Sequence, residues 1–202
     1  MKRRTLLLAA ALLPAACASP DPRLYTLRAV PGPTLTGGPR AITLRQVSLA
    51  RYLERPQIVR SSEDYRLDVQ ANDWWGEPLA AMVGRVLGED LTQRLPGTQV
   101  FNEAGAISPD SDARIEVNVL RLDADASGAV VLNAQVAIAG PTGEPTAHEV
   151  RLTVRPTDGT LESQVAATSQ AVGQLADAIA AQVARGGPAA SGRPARRHRA
   201  RH

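Results

Sequence analysis

Three histidines, one cysteine and 20 acidic residues are the side chains with the most obvious chemistry to offer in this 202-residue sequence. The histidines are His148, His198 and His202. No His-x-x-x-His or Cys-x-x-Cys spacing occurs, so zinc ligation has no support. A Gly-x-Ser-x-Gly nucleophile elbow and a Gly-x-x-x-x-Gly-Lys phosphate loop are also missing. The carboxylates are spread along expected strands and turns, where solvated surface roles account for them. The sequence is therefore read as that of a non-enzyme without metal or cofactor. One residue remains with a definite chemical expectation, Cys17.

Cys17 ends a leader. Lys2-Arg3-Arg4 is a positively charged start, Thr5 to Leu13 is a short apolar run, and Ala15, Ala16 and Ala18 flank the cysteine. This is the pattern of a secretory signal over residues 1–16, and its apolar run is far shorter than a membrane span. Leu12-Leu13-Pro14-Ala15-Ala16-Cys17 resembles a bacterial lipobox, with Pro14 where leucine is usual. Small residues fit a narrow peptidase site, and the thiol takes the lipid. Cys17 is accordingly expected to be the lipidated first residue of the mature protein. Several acyl chains on one residue anchor stably where one chain is marginal. A lone cysteine also rules out an intrachain disulfide, so stability must come from packing.

Charge narrows the partners. Of 23 basic residues, three lie in the leader and five in the last ten residues, which leaves 15 against 20 acidic ones, a net −5 over residues 18–192. A nucleic-acid-binding domain should carry positive charge on the fold itself, so nucleic acid is not an expected partner. Aromatic residues make up only 3%, and hydrophobic residues 44%, so the core must be built from Ala, Val, Leu and Ile. Nearly every basic residue is arginine, and no position in the sequence calls for a guanidinium rather than an ammonium.

The elements expected to position these residues follow from periodicity. A short strand is expected at about 23–29, then a flexible Pro/Gly connection over 31–39. Ala41 to Leu49 reads as one strand. Gln57–Ser61 and Tyr65–Gln70 read as a hairpin around Ser62-Glu63-Asp64. Leu79, Met82, Val83, Val86, Leu87, Leu91 and Leu95 recur at helical spacing. Pro78 suits the first helical position, Asp73 or Glu77 complements the helix dipole, and Pro96-Gly97 ends the helix. Gly84 and Gly88 on this helix permit close approach of a neighbour. Alternating strands follow at Arg114–Leu122, Val130–Ile138 and Val150–Arg155, each with one polar face, the mark of an antiparallel sheet covered on one side. Leu161 to Val183 is a second helix with Thr160 as N-cap. From Gly186 the chain turns to Gly, Pro, Ala and Arg, and residues 186–202 read as a disordered basic tail. The expected fold class is α+β: a two-layer domain over residues 17–185, with a largely antiparallel mixed sheet and two main helices on one face.

Two stretches carry a family resemblance. Tyr52-Leu53-Glu54-Arg55-Pro56-Gln57-Ile58-Val59 follows the first long strand, and Trp75-Gly76-Glu77-Pro78-Leu79 opens the helix that contains Leu87-Gly88-Glu89-Asp90-Leu91. With Tyr25-Thr26-Leu27 soon after the lipobox, the pattern resembles the ABC-type transport auxiliary lipoprotein family, which includes the paraquat-inducible lipoprotein C. Ala50 stands where that family often has proline.

The resemblance implies a lipoprotein working beside a mammalian-cell-entry (MCE) domain protein and an ABC permease/ATPase complex that moves lipid between membranes. It implies a lipid-anchored protein of the outer membrane, facing the periplasm, and leaves room for a homo-oligomer. Partner-binding candidates are Trp74, Trp75, Arg51, Tyr52 and Arg55. Adjacent tryptophans cannot share one core, so one is expected to pack at the start of the helix while the other serves as an interface anchor. Arg51, Tyr52 and Arg55 are expected to shape their loop or, for Arg55, to meet a partner carboxylate. The competing reading is a structural or regulatory envelope lipoprotein, for example of cell-wall synthesis, with no transporter partner.

Overall fold

The 12-residue strand Ala113–Ala124 (β7) organises the molecule. The computed structural model describes residues 21–63, 65–103, 105–107, 110–140 and 144–186. The leader, Cys17, Asp64 of the expected turn and the basic tail beyond Gly186 lie outside the described residues. The other strands are Arg23–Tyr25 (β1), Ala41–Leu44 (β2), Ser48–Leu49 (β3), Gln57–Ser61 (β4), Asp68–Trp75 (β5), Gln99–Asn102 (β6), Val130–Ala139 (β8) and Thr146–Val154 (β9). The helices are Leu79–Arg94 (α1) and Leu161–Gly186 (α2).

One edge of β7 pairs antiparallel with β8, and β8 pairs antiparallel with β9. Its other edge is covered in three instalments, all parallel, by β2, β3 and β4. From β2 the sheet continues to β6, and from β4 through β5 to β1. The nine strands form one mixed sheet in which most residue pairing is antiparallel, and the fold is α+β as the sequence implied.

Alternation explains the layering. Ile115, Val117 and Val119 of β7 are buried, while Arg114, Glu116 and Leu120 are exposed. Their β8 partners Val136 and Ala134 are buried on the same face. α2 lies on β8 and β9 and packs against α1. Leu161, Val165, Thr168, Val172, Leu175, Ile179 and Val183, spaced three or four apart along α2, are all buried, and Ala167, Ala171, Ala176 and Ala180 widen that stripe. Thr160 does cap α2, its Oγ1 accepting the Ser163 N–H at 3.2 Å. On α1, a Cβ at Gly88 would stand 2.9 Å from Asn102 Oδ1, so this glycine admits the sheet rather than another helix.

Several local expectations give way to tertiary structure. The stretch from Ala41 to Leu49 is two strands, because its register on β7 slips by one residue between Leu44↔Ile115 and Ser48↔Asn118. A one-residue bulge of this kind reverses the side-chain alternation, which is why Leu44, Val47 and Leu49 are all buried. The second hairpin strand begins at Asp68 rather than Tyr65 and runs on to Trp75, so both tryptophans sit on a strand. Pro78 precedes the first helical residue, and no acid occupies the first turn of α1. The Asp73 carboxylate accepts from Arg23 Nε at 2.7 Å, and Glu77 pairs with Arg85 at 2.9 Å.

The connection after β1 is a strap laid across both helices. Leu27 N–H points to Met82 Sδ at 3.1 Å, and Arg28 N–H donates to Ser169 Oγ at 3.2 Å. Val30 N–H donates to Asp90 Oδ1 at 2.8 Å and Leu35 N–H to the Arg94 carbonyl at 2.7 Å. Backbone donors that a flexible linker would give to water are taken up by the helices.

Arg94 is the keystone of that contact. It is 1% exposed, yet its guanidinium donates to the carbonyls of Val30, Asp90 and Gly173 and to the carboxylates of Asp90 and Asp177. Only a planar fork with five N–H donors meets so many acceptors at once, so this position does require arginine. A Cβ at residue 32 would stand 2.3 Å from Arg94 Nη2, which fixes glycine where the strap crosses it. Burial pushes the Asp90 carboxyl above its ordinary range, against the opposing pull of the Val30 N–H and Arg94.

Candidate partner-docking groove

The stretches 51–59 and 74–79 meet. A 3-10 turn, Arg51–Leu53, leads into Glu54-Arg55-Pro56, and the Pro56 carbonyl accepts the Trp75 N–H at 2.7 Å. Gly76 N–H then donates to the Tyr25 carbonyl at 2.8 Å, which fastens β1 to the same corner. Pro56 and Pro78 cannot donate and hold φ near −65°, so both walls of the corner are stiff.

Between those walls lies a groove of about 360 Å³. Glu54, Arg55 and Pro56 form one side, and Trp75, Glu77, Pro78, Leu79 and Ala80 the other, with Leu49 beneath. Its lining is mostly apolar and its rim is charged. Glu77 is engaged by Arg85, whereas Arg55 gives its Nε to the Tyr52 carbonyl at 3.0 Å and meets no carboxylate among the described residues. The first turn of α1 has no side-chain cap, so its N–H groups at this end are without the usual partner.

The sequence-derived candidates separate here. Trp75 and Arg55 line the groove. Tyr52 sits behind it, half-buried, with its hydroxyl donating to Asp123 Oδ2 at 2.7 Å. Arg51 is exposed on the 3-10 turn and Trp74 lies on the opposite face of β5, where its register partners are Leu24 and Gln57; neither lines the groove. The Trp74 indole N–H turns back to the Ala71 carbonyl at 3.0 Å. Leu49 and Ala80 carried no sequence signal, since an inward leucine on a two-residue strand and an alanine in a first helical turn are ordinary residues.

Tyr52 ties the groove to the central strand. Asp123 is fully buried at the end of β7 and also accepts from Arg121 Nε at 2.9 Å, while Arg121 reaches Glu63 at 2.6 Å. Burial, and then the Asp123 carboxylate, push the Tyr52 phenol well above its ordinary range, so it remains a donor. Tyr52→Phe is expected to cost about 1–3 kcal/mol, the price of leaving a buried acceptor short of a partner. Urea unfolding measures this, and an unchanged midpoint would mean that Arg121 alone satisfies Asp123.

Among the described residues no helix is long and apolar enough to cross a membrane, and no three His, Cys, Asp or Glu side chains gather as a metal site. The family model described as ABC-type transport auxiliary lipoprotein component matches residues 25–180, and the chain belongs to that family. The crystal structure of an uncharacterized protein, 21% identical, covers 81% of this chain and 99% of its own with a TM-score of 0.70. That of protein XCC0632 from Xanthomonas campestris, 16% identical, covers 80% of this chain and 95% of its own with a TM-score of 0.63. At such identities these two likenesses establish the fold. No curated protein matches the chain.

Proposed function

We propose that this lipoprotein is a non-enzymatic accessory subunit of an MCE/ABC-type intermembrane lipid transport system. Lipid on Cys17 holds it at the outer membrane, facing the periplasm, and the groove beside Trp75 docks onto its MCE-domain partner. Membership of a transport auxiliary family supplies the class. The observation that carries the docking surface is the convergence of two separate sequence motifs on one apolar groove, joined by the Trp75–Pro56 backbone bond. Arginines are enriched at binding hot spots, and Arg55 stands on the rim of this apolar groove, whose wall is built by the buried Trp75.

Affinity capture of the tagged mature protein from detergent-solubilised membranes, with mass spectrometry of its companions, tests this reading. An MCE protein and its permease are expected among them, and Cys17→Ser is expected to lose them if anchoring brings the partners together. Recovery of cell-wall synthesis enzymes in their place would move the assignment to a regulatory envelope lipoprotein.

A further inference from the structure

No strand of the described residues pairs with the outer edge of β9. Among the described residues β9 pairs with β8 alone, and six of its nine residues are exposed. A free edge of this length presents a row of backbone donors and acceptors that templates another strand, and natural proteins guard such edges with charge. The charges on β9 are Glu149 and Arg151. Their cross-strand neighbours on β8 are the neutral Gln135 and Asn133, and neither enters an ion pair among the described residues.

We propose that β9 pairs antiparallel with β9 of a second copy, centred on Val150, joining two sheets into one. The spacing of the two charges specifies this register. Directly opposed residues in an antiparallel pair share a face, so only registers that advance in steps of two keep the helices of both copies on one side. Centring on Val150 sets Glu149 of each copy against Arg151 of the other, twice. The adjacent same-face registers set Glu149 against Glu149 or Arg151 against Arg151. Opposite charges facing each other across strands are favourable and like charges are not, so the residues that guard the edge against arbitrary pairing also select this one. On the helix-covered face the same register sets Val150 against Val150 and His148 against Leu152. Val150 and Leu152 are partly buried hydrophobic residues packed on the core of each copy, and the pairing covers what they still expose. The partner is a second copy because the pattern is complementary to itself, as a two-fold contact requires.

Sedimentation of the purified mature protein in density-matched detergent, over about 1–100 µM, reads the association. The wild type is expected to dimerise. Glu149→Arg and Arg151→Glu, each placing like charges opposite one another twice, are expected to raise the dissociation constant at least about tenfold. The double swap Glu149→Arg/Arg151→Glu restores complementarity and is expected to return it to near the wild-type value. Both side chains are exposed, so circular dichroism should show all variants folded. Chance co-occupancy of a micelle would not respond to these charges. A wild type that stays monomeric across the range overturns the pairing, and so does a dimer indifferent to all three variants or a double swap as weak as the single ones.

Discussion

Arg94→Met is expected to lower the unfolding free energy by about 3–5 kcal/mol, as removal of one partner from a buried ion pair does. The cost arises from what is left behind. Asp90 is wholly buried, and among the described residues its Oδ2 lacks a partner and Arg94 provides its only cationic contact. The Val30 and Gly173 carbonyls lose a donor in the same step. Asp177 is partly exposed and can turn to water, so it adds little. Arg94→Lys is expected to recover only part of the loss, since one ammonium cannot reach both carboxylates and three carbonyls. Pairing Arg94→Met with Asp90→Leu should recover more, because a hydrophobic replacement of a buried pair is often tolerated. Chemical denaturation of the four proteins separates these cases; an Arg94→Met variant as stable as wild type would reduce the cluster to ornament.

The second large effect concerns binding. Ala80→Glu should weaken capture of the proposed MCE partner by about 30-fold or more, equivalent to losing one hot spot of roughly 2 kcal/mol. The substitution puts a carboxylate into the apolar groove, where an incoming hydrophobic surface would have to strip its water. The helix dipole favours an acid in the first turn by about 0.3–1 kcal/mol, which offsets part of the packing that the half-buried Ala80 gives the core. Trp75→Ala could not make the same test, since Trp75 is part of the hydrophobic core and its loss would damage the fold itself. Titrated capture alongside a thermal melt distinguishes binding from stability. A folded Ala80→Glu protein that captures its partner in full removes this groove from the docking surface.

The helices and the strands β7 to β9 were legible because each buries a face whose period is written locally, as in Ile115, Val117 and Val119 or Leu79, Met82, Val83 and Val86. Of the strands that pair parallel, β4 was legible to the residue, β1 as the start of a longer strand and β2 with β3 as a single run, but β6 was not. β6, a strand of four residues that begins two residues after the Pro96-Gly97 stop, has no alternation to read and exists because β2, nearly sixty residues earlier, offers it an edge. The break between β2 and β3 likewise answers to β7, not to its own sequence. Of the groove, Arg55 and Trp75 were visible through the motifs that hold them, while Leu49 and Ala80 become part of a site only once those motifs meet. Arg94 escaped notice because a helix near its C-terminus ordinarily ends in a basic residue, and nothing local says that a strap will pass over this one.

That strap also decides when the molecule can close. The backbone of Arg28 is held by Ser169, 141 residues further along the chain, and the Arg94 cluster draws two more of its acceptors from α2. A growing polypeptide therefore keeps its first ordered segment loose until almost the whole domain has been synthesised. The parallel pairings of β7 with strands some seventy residues earlier add contacts of the kind that slow folding. Such wiring keeps the nascent chain open and threadable, the condition required for passage end-first through a narrow export channel, and it lets the structure set only after the last helix has arrived.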